Sequence, residues 1–95
     1  MLFVSILNVK PGSTRRSRSQ RRLDWKYPSG MRVIGEYWLA TERPAVVQIF
    51  EAETMEPIRE TMSAWDDVFD VEVFPAVTAE EGMALARRTL AAARA

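Results

Sequence analysis

Residues 2–9 run Leu-Phe-Val-Ser-Ile-Leu-Asn-Val and stop at Lys10-Pro11-Gly12, which reads as a buried strand followed by a turn. Ser13 or Thr14 can cap a helix that runs to about Tyr27, and Pro28-Ser29-Gly30 is a second turn. Residues 31–40 carry Val, Ile, Tyr and Trp and read as a strand, residues 45–53 read as another, and the short connection Thr41-Glu42-Arg43-Pro44 makes the two a hairpin. Thr54 opens a second helix in which Met55, Ile58, Met62 and Trp65 recur at helical spacing, with Pro57 tolerated in the first turn. Residues 69–74 alternate Val71 and Val73 against Asp70 and Glu72, a fourth strand that Pro75 ends. Thr78-Ala79-Glu80-Glu81 is a capping box before a last helix with a stripe of Met83, Ala86 and Leu90, and Arg87, Arg88 and Arg94 suit its negative end.

The order β-α-β-β-α-β plus a tail helix predicts one α+β domain over residues 1–95, a ferredoxin-like split βαβ unit. Both central helices then lie on one face of a four-stranded antiparallel sheet, and the other face is left bare. Strand alternation puts Val33, Tyr37 and Leu39 toward the helices and Ile34, Glu36 and Trp38 on the bare face. By the same rule Asp70, Glu72 and Phe74 face outward. The first and third strands are apolar on both sides, so Phe3, Ser5 and Leu7, with Val46, Gln48 and Phe50, can point either way.

An apolar sheet face carrying Ile34, Trp38, Phe50 and Phe74 would need a partner. A homodimer closed through the open face, a dimeric α+β barrel, is the expected assembly. Ser5, Gln48, Glu36 and Glu72 would sit among aromatics there and make a ligand pocket with Trp38, Phe50 and Phe74. Glu36 and Glu72 are candidate acid–base groups, with Tyr37 as a proton donor, while pairing with Arg32 or placement at the rim is the structural alternative. If instead Trp25, Tyr27, Tyr37 and Trp38 line a space between strands and helices, they would hold a flat organic ligand, with Glu36 and Glu51 orienting its polar groups.

Composition narrows the chemistry. The chain has 95 residues, no cysteine and no histidine, so disulfides, thiolate chemistry and the commonest neutral-pH base are excluded. Without them, a reducing, cytoplasmic setting is expected, and the apolar start is too short for a membrane span. The net charge is zero but polarised: residues 1–35 hold eight Lys/Arg and one Asp, residues 36–95 five Lys/Arg and twelve Asp/Glu. Five arginines fall between Arg15 and Arg22. On a helix, Arg15, Arg18 and Arg22 share one side that Trp25 continues, a basic surface stripe suited to an anion. With so few apolar residues, that helix must pack through Leu23, Tyr27 and arginine stems. Nucleic acid is disfavoured as the partner, since the domain is neutral and has no aromatic RNA-binding motif. Asp66-Asp67-Val68-Phe69-Asp70 matches the DDxxD magnesium pattern, but it spans a helix-to-strand transition, so a solvated helix end is the better reading. No metal or cofactor is expected.

The stretches WKYPSGMRVIGEYWL, PAVVQIFEAE and AWDDVFDVEVFPAVTAEEG resemble a family of small prokaryotic domains of unknown function within the dimeric α+β-barrel superfamily. The resemblance covers roughly residues 1–85. It rests on Trp25, Tyr27, Pro28 and Gly30, on Gly35-Glu36-Tyr37-Trp38, on Glu51 and Trp65, and on the Pro75 to Gly82 exit. It implies a ferredoxin-like protomer that dimerises through its sheet. The superfamily spans cofactor-free monooxygenases, polyketide cyclases, muconolactone-type isomerases, haem proteins and stress-related binding domains, so the resemblance implies a fold more than a reaction. Members that use a histidine as iron ligand or base find no equivalent here.

Overall fold

The computed structural model describes residues 1–94, and the side chains of residues 1–93. Seven elements follow the expected order: β1 (Leu2–Val9), α1 (Arg15–Asp24), β2 (Met31–Trp38), β3 (Val46–Ala52), α2 (Glu56–Trp65), β4 (Phe69–Ala76) and α3 (Ala79–Arg94). The strands form one antiparallel sheet in the order β2-β3-β1-β4, the ferredoxin-like arrangement. Thr14 caps α1 in a reciprocal box with Ser17, which satisfies donors that the first turn would leave unpaired. The helix stops at Asp24, three residues before Tyr27. α2 starts at Glu56 with Pro57 in its first turn, and Met55 precedes it without a side-chain cap. Pro75 does not end β4 but lies inside it opposite Phe3, tolerated because β4 is an edge strand.

Two apolar clusters make the core, both on the helix-covered face. Phe3, Phe50, Ala52 and Ile58 form one, and Leu7, Val9, Trp65 and Phe69 the other. α2 spans both, since Ile58 and Trp65 lie seven residues apart, about two turns, on one side of the helix. Met55, by contrast, is exposed.

The register fixes which side chains share a face. Phe3 pairs with Phe50, Ser5 with Gln48 and Leu7 with Val46, and all of these except Val46 are buried. The first and third strands therefore turn Phe3, Ser5, Leu7, Gln48 and Phe50 toward the helices. In β2 the simple alternation fails. Val33 lies opposite Phe50 but Gly35 lies opposite Ile49, so Ile34 is an extra residue, a β-bulge. Beyond it the parity reverses. Glu36 pairs with Gln48 and Trp38 with Val46, which places both on the helix-covered face, and Tyr37 pairs with Val47 on the bare one. The expected positions of Glu36, Trp38 and Tyr37 are thus exchanged. The cause is the insertion at Ile34, next to a glycine that favours irregular strand geometry. Gly35 also makes room for an aromatic: a Cβ there would lie 2.8 Å from the Tyr37 ring.

α3 does not cover the bare face. It extends away from the body with Met83, Leu85 and Leu90 exposed, and the chain measures 57 × 28 × 17 Å with a radius of gyration of 16.5 Å. The Arg94 side chain, expected to complement the end of this helix, lies outside the described residues.

Candidate functional site

α1 is a helix with almost nothing apolar to offer the sheet. Leu23, expected to pack, is 82% exposed. The helix docks through arginines instead. Arg21 donates both contacts from Nη1 to Asp67, at 2.8 and 3.0 Å, and Nη2 to the Ala64 carbonyl, while its guanidinium lies 4.7 Å over the Trp65 ring. Arg22 reaches Glu36 through Nε and Nη2 and holds the Trp25 carbonyl with Nη1. A cavity of about 280 Å³, open on one side, lies between α1 and the helix-covered face of the sheet.

Three groups of side chains line it. Arg15, Arg18, Ser19 and Arg22 come from one side of α1, at the spacing of adjacent helical turns. Trp25, Trp38, Trp65 and Phe69 give aromatic walls, and Leu7, Val46, Glu36 and Gln48 rise from the sheet floor. The segment after β2, residues 39–41, closes the rim with Ala45. The basic stripe expected on the surface is thus turned inward: Arg18 is only 9% exposed.

Glu36 organises the polar end. Its carboxylate accepts from Arg22 at 2.9–3.2 Å, from the Tyr27 hydroxyl at 2.6 Å and from Trp38 Nε1 at 2.7 Å. Gln48 Nε2 in turn donates to the Tyr27 oxygen at 2.8 Å. Burial pushes the Glu36 carboxyl up, but the hydrogen bonds from Arg22, Tyr27 and Trp38 outweigh it, and the net shift is below the ordinary carboxylate value. Burial first, then the bond to Glu36, raises the Tyr27 phenol far above its ordinary value. The Arg22 guanidinium is held more firmly protonated by its bond to Glu36. Glu36 is accordingly an ionised acceptor whose lone-pair positions are already filled, and Tyr27 a neutral donor.

The residues singled out in the sequence divide between the two sides of the sheet. Glu36, Trp38, Gln48, Arg15, Arg18 and Arg22 line the cavity. Ser5 and Phe50 share its face but lie deeper, at a packed spot beside Ile58 and Thr61 rather than in the cavity. Tyr37, Glu72 and Phe74 occupy the opposite face, where Asn8 donates to Glu72 at 3.3 Å. Glu51 is there too, paired with Arg32. The three acid–base candidates are therefore separated by the sheet: Glu36 lies on one side, Tyr37 and Glu72 on the other. Ser19 and the rim residues 39–41 were not evident from sequence, since their place depends on how α1 docks.

The acidic run does not gather. Asp67 bonds Arg21, which lowers its carboxyl, and Asp70 faces Lys10 and Arg43 at 3.9 and 3.5 Å. Among the described residues, no three acidic side chains come together as metal ligands, and no helix is long and apolar enough to cross a membrane.

No curated protein and no solved structure matches the chain. A family model does match over residues 1–90, and the chain belongs to that family, a domain of unknown function, DUF3303.

Proposed function

We propose that this protein binds a small organic molecule in the cavity beneath α1. The observation that carries the reading is the cavity itself. Its 280 Å³ lies just below the roughly 300–1,000 Å³ typical of small-molecule sites, and it joins aromatic walls to a few fixed polar groups. The cross-braced Glu36, Arg22, Tyr27 and Gln48 form a preorganised polar end. Because Glu36 is saturated with donors, its role is to fix Arg22 and Trp38 rather than to take a proton. Any cofactor-free catalysis would use the ligand's own reactivity within this half-open site.

The test is a thermal-shift screen of small aromatic and aliphatic metabolites, repeated on Ser19→Phe, which fills the cavity from α1. Ligands that raise the melting temperature of the wild type should lose that effect in the variant. Equal shifts in both proteins would place the binding elsewhere and defeat the proposal.

A second reading concerns assembly. The bare face carries Val4, Ile6, Val47 and Ile49 half-buried and Ile34, Tyr37 and Phe74 about half exposed. This apolar surface supports a homodimer closed sheet to sheet, as in the dimeric α+β-barrel superfamily that the sequence resembles. Light scattering should then give twice the chain mass, and Ile34→Asp should give the single-chain mass. A wild-type monomer at tens of micromolar rules this assembly out. The ligand cavity lies within one protomer on the far side of the sheet, so it does not require the dimer. A reducing cytoplasmic setting fits a chain without cysteine.

A further inference from the structure

Resting on the cavity as the binding site, we propose that its ligand is an oxyanion-bearing flat organic molecule, with the anion held by Arg18 and by Arg15 at the rim. Three arginines line the cavity against one carboxylate, Glu36. Arg22 is taken by that carboxylate in a two-pronged contact. Arg18 is not. It is nine-tenths buried, and its hydrogen bonds run from Nη1 alone to the Ser13 carbonyl at 3.1 Å and the Ser13 hydroxyl at 2.8 Å.

Among the described residues its Nε and Nη2 donate to no protein group and no carboxylate pairs with it. No buried side-chain polar atom among them is both sealed from solvent and unbonded, so those donors keep some contact with solvent, and Arg18 is one of the residues that line the cavity. A buried guanidinium with a neutral partner on one nitrogen leaves its fork open to a carboxylate or phosphate. Arg15 stands one turn earlier on the same face and adds a second positive charge at the entrance. Trp25 and Trp38 offer aromatic surface for a ring, and the Glu36 cluster leaves no acid free to repel the anion.

The inward arginines also separate this inference from nucleic-acid binding. A phosphate backbone needs an exposed row of cations, whereas Arg18 is buried, Arg22 is neutralised and Arg21 is paired with Asp67.

The experiment compares benzoate, phenyl phosphate and benzamide, three single-ring probes that differ in charge, by isothermal titration at low and high salt. Phenyl phosphate should bind most tightly and benzoate next, both weakening as salt rises, and benzamide least. Arg18→Gln should weaken the two anions about tenfold or more without changing benzamide. Arg15→Gln, at the exposed rim where folding is not at stake, should weaken them about threefold. Circular dichroism confirms that both variants fold. If benzamide binds as tightly as the anions and neither arginine matters, the anion assignment fails while the cavity stands as a site. If no probe binds to the wild type, but other compounds raise its melting temperature and lose that effect in Ser19→Phe, the assignment fails again. If nothing binds in either experiment, both the assignment and the cavity reading fall.

Discussion

Replacing Glu36 by Gln removes one charge from the centre of the cavity's polar end while keeping its shape. The carboxylate side chain is 14% exposed and that of Arg22 30%. A Gln oxygen can still accept from Tyr27 and Arg22, but its amide must then point at Trp38 Nε1 or the Arg22 fork, both of which are donors. Exposed ion pairs contribute about 0–1 kcal/mol, and breaking a fully buried pair costs about 3–5 kcal/mol. The partial burial here places Glu36→Gln at roughly 2–3 kcal/mol between those limits. For a domain of this size each kcal/mol moves the melting temperature by about 4–8 °C, so a loss of at least about 8 °C at pH 7 is expected.

The pH dependence has a definite sign. The folded Glu36 carboxyl lies below its ordinary value of 4.5, so its contribution is complete above that value and is lost as pH falls through the folded one. Calorimetry of both proteins from pH 7 to pH 3 should show the gap between them constant at first and narrowing only below about 4.5. A variant that melts within about 2 °C of the wild type at pH 7 would refute the account. So would a gap that stays constant to pH 3. Adding Arg22→Gln tests the pairing itself: the double variant should be less destabilised than the sum of the two single ones.

Thr14→Ala breaks the reciprocal cap of α1 and should cost about 1 kcal/mol in urea unfolding, with no loss expected if Ser17 alone sustains the turn. Phe50→Ala empties the most enclosed part of the core, where Phe50 is 1% exposed and stacks on Phe3, and should cost about 3–5 kcal/mol by the same measurement. Gly35→Ala must drive the exposed Tyr37 ring off the backbone at little cost in stability. Its signature in proton NMR is loss of the ring-current shift on the residue 35 α-proton, and persistence of that shift would contradict the contact.

Much of the fold was legible because local signals agreed. The strand before Lys10-Pro11-Gly12, the Thr78 capping box and the Ile58–Met62–Trp65 stripe each point to one element and one face. The site was less legible, for two physical reasons. The pattern Val33 to Trp38 is apolar or aromatic at both parities, so alternation alone could not say where Glu36 points. Gly35 was the available warning, since an isolated glycine in a strand signals a bulge. The second reason is α1. Its arginines share a side in sequence, as expected, but whether that side meets water or the sheet depends on Asp67, Glu36 and Ser13, which come from other parts of the chain. A helix usually shows its inner face by being apolar there, and this one attaches with charges.

The outstretched α3 has a consequence for how the molecule behaves in a column or a beam. A compact chain of this length would have a radius of gyration of about 12 Å, and one of twice the length about 16 Å. A lone copy at 16.5 Å therefore has the radius of gyration of a rounded protein of double its mass, and gel filtration against spherical standards would overestimate its mass. Sedimentation equilibrium, which weighs the particle regardless of its outline, tells one copy from two.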